Sequence, residues 1–243
     1  MITLFDKPDT VWELIANGLP WTLTLAASSL AIGFVLAVGL ALLRLSPLKP
    51  VRWAAWTYVY FFRSTPLLVQ IFLIYYGLGQ FEAVRDSFAW PLLREAHWCA
   101  ILALTLNTTA YTSEIIRGGL QSVPWGQVEA AKACGMSVLM RFRRVIFPQA
   151  IRQALPGYGN EIVLMVKSTS LASTITLLEM TLIARKETSA TFTIEPLFVA
   201  AMFYLAINFL ATRGVMAIEY KLSPELRDAK RLLPLPDQQP AAR

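Results

Sequence analysis

The chain has 243 residues, 56% of them hydrophobic and 16% charged, with a net charge of +6 and a mean hydropathy of +0.50. A soluble globular domain of this size rarely reaches that apolar fraction, so the composition points to a membrane protein. One histidine and two cysteines leave no metal-ligand spacing, and there is neither a nucleophile-plus-base constellation nor a G-x-x-x-x-G-K-[ST] phosphate loop. Catalysis, metal binding and nucleic-acid binding are therefore not expected of this chain.

Between Glu13 and Arg44 lie 30 consecutive uncharged residues, more than the ~20 that a spanning helix needs. The first span is placed at 20–43. It does not read as a secretory leader, because Asp6, Asp9 and Glu13 precede it and the apolar run is too long. The second span, at 58–81, contains the run Phe62-Arg63-Ser64-Thr65-Pro66-Leu67-Leu68-Val69-Gln70. This is a charged residue at the inner boundary, then a proline in the first helical turn, where its missing N–H is tolerated. Arg63, Thr65 and Pro66 are read as packing or gate residues.

The third span, 96–114, closes on Leu106-Asn107-Thr108-Thr109-Ala110-Tyr111-Thr112-Ser113-Glu114. Hydroxyl and amide groups inside a bilayer need partners within the protein or a wet cavity. Asn107, Tyr111 and Glu114 share one helix face. The row reads equally well as polar glue between helices or as the lining of a solute path. His97 reads as an interfacial polar residue.

The interval 117–152 holds a helix, a break and a second helix. Gln127 to Cys134 contains good helix formers, and Gly135 can end them in a left-handed conformation. Gly126, Ala130 and Cys134 make one side of that helix smooth enough for close approach by another surface. From Ser137 to Phe147 a basic amphipathic helix is expected, with Ser137, Arg141 and Arg144 opposite an apolar stripe and Pro148 ending it. A headgroup-lying helix explains this second part but not the alanine-glycine part.

The fourth span, 158–178, carries Glu161 and Lys167. Pro156, Gly157 and Gly159 favour a loosened helix start, tolerated at membrane depth where it meets protein or water. Glu161 and Lys167 lie about 240° apart around a helix, so each needs a partner from elsewhere. Ionisable groups within a span are functional candidates. A carboxylate there suits a cationic group, with packing between subunits as the rival. Ser170 joins Glu161 and Lys167 on the candidate path. The fifth span is 197–218, with Arg213 near enough to its end to snorkel, and 233–243 reads as a disordered tail.

Lysine and arginine are distributed unevenly. The intervals Arg44–Arg63, Glu114–Arg152 and Arg213–Arg243 hold 16 of the 22, against 5 on the opposite side. Positive residues stay in the cytoplasm, which puts the amino terminus outside, and the carboxyl terminus and the 117–152 loop inside.

Glu129-Ala130-Ala131, Gly135, Ile146 and Pro148 resemble the EAA loop of the membrane subunits of ATP-binding-cassette importers, with Phe147 where leucine is usual. The Phe62–Leu67 and Leu106–Glu114 segments resemble the permeases for polar amino acids, although Ser64 replaces the usual glycine. The resemblance is closest to the M-type permease subunits of histidine, arginine/ornithine and opine transporters. It implies an all-α membrane protein of the type I importer (MetI-like) fold, one domain over 1–243, in the bacterial inner membrane. It also implies a second, related permease subunit, two ATP-binding subunits that hold ATP and magnesium, and a periplasmic amino acid-binding protein. Glu129, Ala130, Ala131, Gly135 and Arg141 would couple the chain to the ATPase, and transport would run by alternating access. An ion-gradient-driven transporter is the rival reading, but five spans without evident inverted symmetry argue against it.

Overall fold

Residues 8–222 are described by the computed structural model, and every regular element among them is helical. The expected tail at 233–243 lies outside the described residues. A short helix α1 (Pro8–Glu13) passes through a π-helical turn (Leu14–Gly18) into α2 (Leu19–Arg44). On α2 the buried residues Leu25, Ser29, Gly33, Ala37 and Ala41 recur every four positions, whereas Val35, Leu36 and Leu43 are exposed. One stripe of small residues packs inward, and the outward faces remain apolar, as suits a helix whose surroundings are not water.

That stripe lies against α7 (Ala96–Gln121), the central helix, which buries half of its residues and also touches α3 (Lys49–Ser64), α4 (Leu67–Phe72) and α10 (Phe147–Ser168). Gly33 lets α2 approach so closely that a methyl group there would meet Thr108. At the other end of α7, a methyl on Gly119 would sit 2.6 Å from the Ala150 carbonyl oxygen and 3.0 Å from Cβ of Ala154. Around α7 the apolar core gathers Leu25, Ile71, Cys99, Leu104, Met165 and Ile175. A second cluster joins Leu14 to Met180, Ile183, Ala184 and Ala200.

The interval expected to hold a second span is not one helix. α3 ends at Ser64, and the chain turns by 104° before continuing from Leu67 to Gln80. Thr65 and Pro66 are extended (ψ 143° and 132°), because a residue before proline is driven out of the helical region. Pro66 thus precedes a helix instead of sitting inside its first turn. Two four-residue helices, α5 (Glu82–Arg85) and α6 (Trp90–Leu93), lead back to α7.

After α7 come α8 (Trp125–Ala133) and α9 (Val138–Arg141). Pro148 does not end the second helix. A π-helical turn (Phe142–Ile146) widens the backbone just before it, with the Phe147 N–H bonding back to the Phe142 carbonyl, and α10 continues with Pro148 in its first turn. The widened turn accommodates a residue that has no N–H to return to the turn before it.

Nor is the Pro156–Asn160 stretch loosened, since it lies within α10. Gly157 and Gly159 are pressed against Ile115 and Val215, so packing overrides local propensity. The irregular backbone comes later, in a 3-10 segment (Thr169–Ile175) that ends at Thr176 with φ +66°. α11 (Met180–Thr191) and α12 (Glu195–Leu222) are the last described elements. Two described stretches, Val11–Arg44 and Glu195–Leu222, are long and apolar enough to cross a membrane, or four if each bent pair is one span.

The neighbouring glycines of α7 give a stability test. Gly118 has nothing within 4 Å of an added methyl group, whereas Gly119 meets backbone. Gly118→Ala should leave the thermal unfolding midpoint in detergent unchanged or raise it, helix propensity favouring alanine by about 1 kcal/mol. Gly119→Ala should lower it by several degrees.

Candidate functional site

The break at Thr65-Pro66 leaves carbonyl oxygens at the end of α3 without helical partners. Side chains supply them. Gln70, buried in α4, donates from Nε2 to the Phe62 carbonyl (2.9 Å), the Thr65 carbonyl (3.1 Å) and the Thr65 hydroxyl (2.7 Å). Its Oε1 accepts from Asn107 Nδ2 at 3.0 Å, and Asn107 also lies 3.3 Å from the Phe62 carbonyl. The Tyr111 hydroxyl donates to the Arg63 carbonyl at 3.4 Å. The broken helix is thereby fastened to the middle of α7.

A cavity of about 440 Å³ opens beside this knot, lined by Arg63, Thr65, Pro66, Asn107, Tyr111 and Glu161, with Ser64, Leu67, Leu164, Met165 and Ser168. Six residues singled out in the sequence therefore meet there. Glu161 is buried, and its carboxylate accepts a 2.8 Å hydrogen bond from Thr108. One hydroxyl is thin compensation for a buried carboxylate, whose desolvation costs several kcal/mol. The Arg63 guanidinium lies over the Tyr111 ring, 5.2 Å from its centroid. The cavity thus offers one anionic and one cationic group among amide and hydroxyl side chains.

Lys167, Ser170 and Glu114 are not among its lining residues. Lys167 is exposed on α10, and the Ser170 hydroxyl donates to the Lys167 carbonyl at 2.6 Å. Glu114 instead forms an ion cluster with Arg44 (Nε to Oε1, 3.0 Å) and Arg117 (Nη2 to Oε2, 2.6 Å), and Arg117 also donates to Gln121. The polar row of α7 divides by position. Thr109 and Ser113 return their hydroxyls to the helix's own carbonyls at 2.7 and 2.9 Å, while Asn107 and Tyr111 face the cavity.

The loop helix α8 is exposed apart from Ala131 and, in part, Val128. Glu129 is held within it by Trp125, whose indole N–H donates to the carboxylate at 2.7 Å. Gly135 has φ +76° and the Met136 N–H bonds back to the Ala131 carbonyl at 3.1 Å, closing the helix in a left-handed turn. Ser137 caps α9, accepting from the Met140 N–H, and Arg141 lies one turn further on.

Several residues were beyond the sequence reading. Gln70, Thr108 and Arg44 gain meaning only from partners distant in sequence, whereas Arg117 pairs with Glu114 three residues before it, a helix spacing that could have been read. Glu179 is another: it is fully buried, accepts the Thr181 and Leu182 N–H groups at 2.9 Å each, and takes the Tyr204 hydroxyl at 2.7 Å. It fastens α11 to α12. An acidic residue just before Met180-Thr181-Leu182 is a helix-start signal that could have marked it. His97 lies between the rings of Trp21 and Trp98. No cluster of metal-ligating side chains occurs among the described residues.

A broken helix around a polar cavity, with an exposed helix between two long ones, is the anatomy of a solute-conducting membrane subunit. Residues 17–223 match the family of binding-protein-dependent transport system inner membrane components. The chain belongs to that family and is an inner-membrane permease subunit without catalytic chemistry of its own. It is 55% identical to the octopine transport system permease protein OccM of Rhizobium meliloti, over 96% of this chain and 97% of that protein. It is 58% identical to the nopaline permease NocM of Agrobacterium fabrum over 86% of this chain and 87% of that one. The histidine/lysine/arginine/ornithine permease HisM of Escherichia coli K12 is 43% identical over 80% and 82%.

Among solved structures, an amino acid ABC transporter crystallised with histidines superposes with a TM-score of 0.80. It is 32% identical and covers 91% of this chain and 99% of that one. The inward-facing MetNI methionine transporter has a TM-score of 0.70 at 16% identity, covering 87% and 96%. The fold is that of the type I importers.

Gln70 is the keystone of the knot. Gln70→Leu keeps the bulk but strips two carbonyls and Asn107 of a partner, and each buried polar group left unpaired costs about 1–3 kcal/mol. The expected result is a lower unfolding midpoint in detergent together with lost uptake, and Gln70→Glu should fail at least as badly, because its carboxylate would set an acceptor oxygen against the Phe62 and Thr65 carbonyls.

Proposed function

We propose that this chain is the permease subunit of an ATP-driven importer for a basic amino acid or an opine, working by alternating access with separate ATPase subunits. The observation that carries the reading is the cavity in which the buried Glu161 carboxylate and the Arg63 guanidinium stand on different helices among amide and hydroxyl groups. A solute with a cationic end and a carboxylate matches that pair. Binding its cation beside Glu161 supplies the charge compensation that Thr108 alone does not. The names of the relatives, which cover octopine, nopaline, histidine, lysine, arginine and ornithine, agree with such a solute.

In this reading the chain crosses the membrane five times, through α2, the bent α3–α4 pair, α7, α10 with its continuation, and α12. The amino terminus lies outside and the carboxyl terminus inside, as the lysine and arginine distribution favours. α8 is the coupling helix. Its smooth, exposed side suits a groove on an ATP-binding subunit, and ATP and magnesium are held there, not on this chain. A second, related permease subunit closes the other half of the path, and a periplasmic binding protein delivers the solute. Lys167, Ser170 and Glu114 stand outside this cavity and take no part in its pair of charges.

Two measurements check this. Proteoliposomes with the ATPase and binding protein should take up radiolabelled L-arginine only with ATP, and unlabelled octopine, nopaline, ornithine, lysine or histidine should compete. Uptake that persists without ATP or any ATPase subunit would overturn the reading. Gly135→Val forces a β-branched residue to φ +76°, a conformation that costs an L-residue about 1–2 kcal/mol. It should leave membrane insertion intact, retain ATP hydrolysis and cut uptake at least tenfold, and Glu129→Lys should do the same. Normal uptake in both variants would remove α8 from the coupling role.

A further inference from the structure

A second cavity, of about 380 Å³, lies next to the first and is lined by Arg44, Trp56, Tyr60 and Glu114. The two share Arg63, Ser64 and Tyr111 as common wall. Both volumes fall within the range of ordinary small-molecule sites. Their common wall is the guanidinium of Arg63 laid on the Tyr111 ring at 5.2 Å, with the Tyr111 hydroxyl bonded back to the Arg63 carbonyl at 3.4 Å. We propose that this stacked pair is a partition between two solute stations, and that Arg63 recognises the solute's carboxylate from either side of it.

The proposal rests on the reading that the first cavity takes the solute, and it adds a direction of travel. A cation–π contact at that distance uses the charge over the ring and leaves the guanidinium N–H groups able to donate to a carboxylate. In the first cavity, Glu161 stands ready for the cationic end. In the second, Glu114 is already engaged by Arg44 at 3.0 Å and Arg117 at 2.6 Å. With Arg63 added, the local balance there is positive. The second station therefore attracts a carboxylate and gives no hold to a cationic side chain. A solute advances by releasing its cationic end from Glu161 while its carboxylate stays with Arg63, and the pair must part for it to pass. The solute class is an α-amino acid with a cationic side chain; a cation without a carboxylate loses the group that both stations share.

The test uses the complete assembly in proteoliposomes preloaded with radiolabelled L-arginine, with efflux followed in the absence of ATP. Tyr111→Ala removes the ring and is expected to raise efflux at least tenfold, and Tyr111→Phe, which keeps it, to rescue the seal. Efflux from Tyr111→Ala equal to that of the unmodified assembly overturns the partition. So does a leak as large in Tyr111→Phe, because the ring is then not the barrier. Should Tyr111→Ala fail to co-purify with the ATPase, Arg63→Gln decides instead. It should leak and should lose at least tenfold discrimination between L-arginine and its decarboxylated analogue in binding to the permease–ATPase assembly. Unchanged efflux and discrimination in Arg63→Gln overturn the proposal. Glu161→Gln separates the two readings: it should weaken L-arginine binding at least tenfold while the vesicles stay sealed. Undiminished binding in Glu161→Gln refutes the first-cavity reading, and the Tyr111 efflux comparison judges the partition independently.

Discussion

A helix broken at Thr65-Pro66 leaves carbonyl groups without helical partners, and side chains of α4 and α7 are arranged to serve them. The proline at position 66 forces the break, and the 104° turn leaves Arg63 and Ser64 as the last residues of α3 with Thr65 extended beyond them. Gln70 and Asn107 then bind the loose end to α7 through a set of side chain to carbonyl bonds. Without that knot the two halves of the bent pair would have no fixed angle, and the cavity beside them would have no fixed wall. With it, a carboxylate on α10 and a guanidinium at the end of α3 are held on one cavity.

The packing that frames the cavity is close and economical in side-chain volume. α2 offers α7 a column of small residues, and Gly119 brings α7 against α10 near the Glu114 cluster. Such contacts depend on van der Waals fit, because in lipid there is no hydrophobic gain in bringing two apolar helices together. The outer helix α12 exposes Phe198, Met202, Leu205, Phe209 and Leu210, while its inner side joins the Ala200 cluster, the Tyr204 to Glu179 bond and the Val215 contact with Gly159.

Much of this was legible in the sequence, for reasons that can be named. The long apolar intervals marked helices, the polar row 106–114 marked the central helix, and Gly135 was read correctly as a left-handed stop because few other residues take φ +76° without strain. Arg63, Thr65, Pro66, Asn107, Tyr111 and Glu161 were picked from separate stretches and meet on one cavity. What the sequence concealed was tertiary. Pro66 was assigned to a first helical turn when it breaks the chain, and Pro148 was taken as a stop when a π turn carries the helix past it. Pro156 and its glycines looked loose, yet α2, α7 and α12 pack against them within a continuous helix. Glu114 is paired both by Arg117 three positions on and by Arg44 from 70 residues away, whereas Glu161 meets only the Thr108 hydroxyl, and neither Arg44 nor Thr108 can be matched to its acid by sequence spacing.

The central claim is that solute passes beside the broken helix, with its charged ends divided between Glu161 and Arg63. A cryo-electron-microscopy map of the nucleotide-free assembly with saturating L-arginine tests it most directly. The account predicts ligand density in the Glu161 cavity, guanidinium toward the carboxylate of α10 and carboxylate toward Arg63. Density seated elsewhere in the transmembrane region, with the space between these two residues filled by protein, would contradict it.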